Sequence, residues 1–214
     1  MVLRLFYLFI VRPWLTLIIG VRFINRKFFK KHKQFIIVAN HNSHFDSLSI
    51  LAALPGSRLK NTCTVASGDY FGKSSLSLKA TQFFFNAILI KKKNKESDPS
   101  TIEILDQQLK KGKSLILFPE GSRGKPGVIQ DFKSGVAVLL KNNPTIPFIP
   151  VYLDGFGRVL PKDKKVIIPL ICKVRFGEPI FPSSNNIDVI LEEIKNAILD
   201  LNDKDDRDRN KFDY

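Results

Sequence analysis

Apolar residues follow two rhythms along this chain. Short continuous runs are bounded by turn residues, and longer stretches repeat every three or four positions. The runs Phe35–Ala39, Thr62–Ala66, Ala87–Ile90, Ser114–Phe118 and Ile146–Leu153 read as buried strands. Val166–Phe176 reads as a strand pair or as one long strand broken near Pro169. Pro147 and Pro150 sit badly in a central strand, so the fifth run is expected at an edge or with a bulge. Leu48–Leu54 reads as a helix ended by Pro55-Gly56. Residues 68–85 read as a loop and helix with an aromatic end, and Phe132–Gly135 opens a helix to about Leu140. Ser100–Lys111 carries a capping box in Ser100 and Glu103, an apolar face of Ile102, Leu105 and Leu109, and a closing Gly112. Ile187–Leu201 is a terminal amphipathic helix. Strands alternating with helices favour parallel pairing through right-handed crossovers. The expected fold is a single α/β domain with a mostly parallel central sheet flanked by helices, plus N-terminal membrane-interface helices.

The first stretch, Leu3–Ile24, breaks both rhythms. Arg4, Arg12 and Arg22 divide it into the apolar pieces Leu5–Val11 and Pro13–Val21. A membrane span needs about 20 mostly apolar residues, and a central arginine costs about 2.5–3.5 kcal/mol on insertion scales. Pro13 is expected to kink or restart a helix. Two short segments lying in a membrane interface fit this pattern, with arginines reaching the headgroups. A helical hairpin packed on the protein's own core fits it too. The expected divisions are a basic and apolar N-terminal segment over 1–33, a main domain over 34–201, and a charged, frayed tail over 202–214.

Charge changes this picture. The chain carries 34 Lys and Arg against 20 Asp and Glu, a net +14, which calls for an anionic partner. Residues 1–45 hold eight basic side chains and no acidic one, and they are also strongly apolar. Basic plus apolar favours lipid over nucleic acid, and no finger spacing or RNA-binding aromatic motif is present. The expected location is the cytoplasmic face of a membrane, a bacterial inner membrane or its equivalent. Cys63 and Cys172 lie far apart with no metal-ligand spacing, so buried thiols are expected and a metal site is not.

The candidate chemistry lies at strand ends. Asn40-His41-Asn42-Ser43-His44-Phe45-Asp46 follows the first strand-like run, and Asp46 is the first acidic residue of the chain. A histidine with a carboxylate five positions on can act as an oriented general base. Ser43 and Asp46 also have capping-box spacing, so Asp46 could simply start a helix; the two roles are compatible. Phe118-Pro119-Glu120-Gly121-Ser122-Arg123 follows another strand-like run. Glycine allows close backbone approach and arginine matches phosphate with two parallel donors. A plain surface loop with a Glu–Arg pair has the same composition. Lys91-Lys92-Lys93 ends the third strand-like run and suits either phosphate or solvent.

Taken in order, these motifs resemble the 1-acylglycerol-3-phosphate acyltransferases and related glycerolipid acyltransferases over about residues 15–182. His41 to Asp46 is similar to the family's first motif, a histidine, four residues and an aspartate. Ala87 to Lys92 is similar to the second, with Asn86 where glycine is frequent and Lys92 (or Lys91) where arginine is usual. Phe118 to Arg123 is similar to the third, and Ile146 to Val151 to the fourth. Phe132-Lys133-Ser134-Gly135 is similar to a further common segment. The resemblance implies direct acyl transfer from a thioester to a lipid hydroxyl, with no cofactor beyond an acyl-CoA or acyl carrier protein co-substrate. It implies His41 as base and Asp46 as its orienting partner. Glu120, Gly121, Ser122 and Arg123 would hold the acceptor's glycerol phosphate, with Lys92 assisting on the phosphate. Asn40 is a possible oxyanion donor, and Pro150 would lie near the acyl donor. His44 receives no role. The expected partners are membrane lipids, a lysophospholipid acceptor and the acyl donor, with no nucleic acid. Another lysophospholipid or hydroxyl lipid as acceptor, or a peripheral membrane-binding module without activity, are the alternatives.

Overall fold

In the computed structural model, residues 2–67, 79, 82–90, 100–124, 127–159 and 171–209 are described. Seven strands form one sheet: β1 (Val21–Ile24), β2 (Ile36–Ala39), β3 (Thr62–Ser67), β4 (Ala87–Ile90), β5 (Ser114–Leu117), β6 (Phe148–Asp154) and β7 (Cys172–Phe176). Their spatial order is β1-β7-β6-β2-β5-β3-β4, and every neighbouring pair is parallel except β6 with β7. The fold is therefore the expected mostly parallel sheet flanked by helices.

Alternation along β2 splits the core in two. Ile37 and Ala39 join a cluster under helix α1 (Val2–Ile19) and helix α2 (Phe45–Ala53). A short helix, α3 (Gly56–Leu59), follows α2. Ile36 and Val38 face the other cluster, under α4 (Thr101–Lys110), α5 (Gly135–Asn142) and α7 (Ile187–Arg209); the four-residue helix α6 (Phe156–Val159) follows β6. The capping box of α4 is formed in both directions between Ser100 and Glu103.

Four sequence expectations need correction or refinement. The N-terminal apolar stretch forms one continuous helical segment rather than two pieces. It alternates α turns with wider π turns, and Pro13 falls where the π turn of Tyr7–Val11 hands over to the α turn of Arg12–Trp14. Tyr7, Val11, Leu15 and Ile19 are buried at a strict four-residue repeat. A pure α-helix of 3.6 residues per turn would wind that stripe off the core, and the wider turns keep it in line. Core packing thus accounts for one face of α1. The opposite face leaves Leu5, Phe9, Ile10, Leu17 and Ile18 exposed. Arg12 turns inward, donating to the carbonyls of Ala52 and Leu54 at the end of α2.

β1 was not anticipated, and it is the edge partner of β7 inside the segment read as a membrane-associating arm. β6 is an interior strand that carries Pro150. Its pairing with β7 runs Val151↔Phe176, and the next bridge is Phe148↔Ile180, so one extra residue bulges on the facing chain. Pro150 accepts from Gly177 and lacks the reciprocal donor at that bulge. The last helix continues through part of the expected frayed tail, to Arg209.

Candidate active site

β1 is parallel to β7, β7 antiparallel to β6, and β6 parallel to β2. The end of α1, the start of β1 and the carboxyl end of β2 therefore share one side of the sheet. Open α/β sheets bind ligands at carboxyl strand ends. There the chain leaves β2 through Asn40–His44 and leaves β5 through Phe118–Gly124.

His41 Nδ1 lies 2.8 Å from Asp46 Oδ2. The same oxygen accepts from the backbone N–H groups of Asn42 and Ser43, at 2.7 and 2.8 Å. Asp46 is fully buried, in the first turn of α2, and its second oxygen has no hydrogen-bond partner among the described residues. It serves at once as the helix-start acceptor that Ser43-x-x-Asp46 spacing suggests and as the partner that fixes the imidazole. The His41 ring stacks on Phe118 at 4.1 Å and 18°. With Nδ1 turned to Asp46 and one ring face covered, Nε2 is the ring nitrogen directed away from the carboxylate. The side chain is 20% exposed.

The loop after β5 grips His41 by its backbone. Glu120 Oε1 accepts from the His41 N–H at 2.8 Å, and Gly124 N–H donates to the His41 carbonyl at 3.0 Å. Glu120 Oε2 accepts from Gln130 N–H at 3.0 Å. Glu120 is buried, which raises its carboxyl pKa above the usual value, and the two N–H bonds oppose that rise. Both of its oxygens accept backbone N–H groups, so Glu120 ties the backbone of His41 to the chain that follows β5.

The remaining sequence candidates divide by place. Arg123 contacts His44 Nε2 through its guanidinium. Gly121 takes a left-handed φ of 74°, and the Lys133 ammonium lies where a side chain at 121 would project. Ser122 is exposed beside it. The Asn40 amide is engaged with β6: it donates to Leu153 O and accepts from Leu153 N at 3.0 and 2.7 Å. β2 ends at Ala39 while β6 continues, and the Asn40 side chain completes the pairing that β2 no longer supplies. Pro150 is buried within β6, opposite Val38, inside the sheet rather than at its carboxyl end. Lys91, Lys92 and Lys93 lie outside the described residues. Asn86 stands where glycine is frequent and adopts φ 46°, a conformation that Asn tolerates; its Nδ2 donates to Thr62 O at 2.7 Å.

Two residues given no role in the sequence reading, His44 and Lys133, reach this side. His44 comes to this side because residues 40–43 are irregular. Lys133 stood in a recognised segment without a stated function. A cleft of about 230 Å³ lies at the carboxyl end of β6, lined by Asn42, Gly127, Tyr152, Leu153, Asp154, Gly155 and Gly157; neither His41 nor Asp46 lines it. Among the described residues, no cluster of His, Cys, Asp and Glu could hold a metal ion.

The arrangement can take a proton at His41 Nε2 beside a cationic loop. The profile of the family described as Acyltransferase matches residues 20–154. A probable 1-acyl-sn-glycerol-3-phosphate acyltransferase of Mycoplasma genitalium is 30% identical over 163 residues, covering 73% of this chain and 58% of that protein. A chloroplastic 1-acyl-sn-glycerol-3-phosphate acyltransferase of Brassica napus is 29% identical over 112 residues, covering 52% of this chain and 32% of that one. The chain thus spans less than two thirds of the length of either relative. The crystal structure of the 1-acyl-sn-glycerophosphate (LPA) acyltransferase PlsC of Thermotoga maritima superposes with a TM-score of 0.78 at 20% identity, covering 95% of this chain and 80% of that one. At that identity the likeness is one of fold.

Proposed function

The chain belongs to the acyltransferase family, and from that premise we propose that it moves a fatty acyl group from a thioester to the free hydroxyl of 1-acylglycerol-3-phosphate, giving phosphatidic acid. The observation that carries the reading is the His41 Nδ1–Asp46 Oδ2 contact at 2.8 Å, with the His41 backbone gripped on both sides by the loop after β5. The names of the relatives support the choice of acceptor.

In this mechanism His41 Nε2 takes the hydroxyl proton as the oxygen attacks the thioester carbonyl. Asp46 holds the tautomer and stabilises the imidazolium. Collapse of the tetrahedral adduct breaks the C–S bond, and the imidazolium returns its proton to the leaving thiolate. Acyl-CoA and acyl carrier protein both present such a thioester. Arg123 meets the acceptor's phosphate, Gly121 gives the backbone room to approach it, and Ser122 offers a hydroxyl at the same loop. The membrane is the source of acceptor. The exposed apolar face of α1 supports adsorption to a lipid surface, and the basic residues of 22–33 favour an anionic, cytoplasmic leaflet. α1 is apolar and long enough to cross a membrane, yet its buried stripe is docked on the domain, which favours lying in the interface. Trp14, packed on Phe45 at 5.6 Å, puts the end of α1 beside the site.

The test is thioester consumption by purified protein in mixed micelles of lysophosphatidic acid, wild type beside His41→Ala. The expected result is transfer that needs the lysolipid and falls about 10²–10⁴-fold in the variant. Full transfer by His41→Ala, or none by the wild type with either donor, would overturn the reading.

A further inference from the structure

Arg123 is the cation assigned above to the acceptor's phosphate, and the inference rests on that assignment. A guanidinium on a glycine-rich loop has many rotamers, and it is useful to a ligand only if something fixes one of them. In this structure the guanidinium contacts the imidazole of His44, across 79 residues of sequence.

We propose that His44 is a positioning residue for phosphate binding: its neutral imidazole holds Arg123 in the binding rotamer, and protonation of His44 releases it. Arginine has donors and no acceptor, so a bond from Arg123 to Nε2 requires that Nε2 carry no proton. His44 must then be the Nδ1–H tautomer. The charged groups that face it are Arg123, His41 and Asp46. Burial first, then Arg123 and His41, hold its pKa below the ordinary histidine value, and Asp46 alone opposes them. His44 also occupies the cap position of α2, where the helix dipole disfavours a cation.

The sign follows from this. At neutral pH His44 is uncharged and accepts. As pH falls through its lowered pKa, the acceptor becomes a donor and a like charge faces the guanidinium. The affinity for a phosphate-bearing acceptor then falls, while the His41–Asp46 contact is untouched. His44 differs in this from His41: it acts on KM through Arg123, not on the reacting atoms.

The experiment compares wild type, His44→Ala and His44→Gln with lysophosphatidic acid from pH 5 to 8. Gln places a neutral oxygen acceptor near the position of Nε2 and does not titrate. His44→Ala is expected to raise KM about ten-fold at pH 7.5, with kcat little changed, since one charge-assisted bond is lost. His44→Gln is expected to keep the neutral-pH KM and to lose the part of its acid rise that belongs to His44; the substrate phosphate's own titration is common to both. Nitrogen-15 NMR of the imidazoles gives a second reading that does not depend on turnover. It should show neutral His44 with its proton on Nδ1 in wild type and a shift toward Nε2–H in Arg123→Ala. Loss of kcat without change in KM, or an Nε2–H tautomer in wild type, overturns the proposal. If wild type transfers nothing to lysophosphatidic acid, the functional reading fails by itself. The His44 inference is then decided by the tautomer and by whether inorganic phosphate binds more weakly to His44→Ala than to wild type.

Discussion

Replacing Glu120 by Gln separates two roles that one carboxylate could have. The side chain is 2% exposed and accepts from His41 N–H at 2.8 Å and from Gln130 N–H at 3.0 Å. A glutamine has the same shape, but only one oxygen. Whichever N–H keeps that oxygen, the other faces an NH₂ group, donor against donor. A hydrogen bond to a buried charged group is worth about 1.5–3 kcal/mol, and losing one leaves a buried donor unpaired. The neutral amide recovers part of this, because the raised Glu120 pKa reflects a burial cost that glutamine does not bear. The expected loss of stability is about 1–3 kcal/mol by urea denaturation. The kinetic effect is larger, since His41 is held by its backbone and a small displacement of a catalytic group costs about 10²-fold. Steady-state assays should therefore show kcat down by about 10–100-fold with the acceptor KM little changed. Glu120→Asp, shorter by about 1.5 Å, cannot span both amides and should behave alike. The reasoning is refuted if KM for lysophosphatidic acid rises ten-fold or more while kcat stands, because Glu120 would then touch the acceptor.

Asn40→Ala should cost about 2–4 kcal/mol in chemical denaturation, because it strips both the N–H and the carbonyl of Leu153 of their partner; a loss of activity with unchanged stability would instead argue for an oxyanion role. Arg12→Ala should cost about 1.5–3 kcal/mol by removing two donors from the last carbonyls of α2, and an unchanged melting curve would contradict the inward placement. Leu17 is 80% exposed, so Leu17→Glu should leave thermal unfolding within about 0.5 kcal/mol while weakening flotation with anionic liposomes. Equal flotation of variant and wild type would detach membrane binding from this face.

Regular elements were legible because their signals are local. The capping box of Ser100 and Glu103, the repeat of Ile190, Ile194 and Ile198, and the apolar run of β2 need no knowledge of what they pack against. The His41–Asp46 pair was legible for the same reason, its two members being five residues apart. What escaped was decided by distant partners. β1 is four residues long and is a strand only because β7 lies beside it. Asn40 is drawn to Leu153 because β2 and β6 end at different heights, which no local pattern encodes. The Arg123–His44 contact joins two irregular loops. Pro150 limited the reading of β6 to two options, and the bulge option holds in an interior strand because the missing donor falls at the register shift.

The pairing of β1 with β7 also fixes an order of events during synthesis. Val21 must wait for Cys172, 151 residues later, before its strand has a neighbour. At about 5–20 residues per second that delay is roughly 8–30 s. Throughout it α1 has no completed core beneath its Tyr7–Ile19 stripe, so both of its faces are apolar and uncovered. The domain can close fully onto α1 only when β7 has arrived, and until then the helix is an apolar segment awaiting its cover.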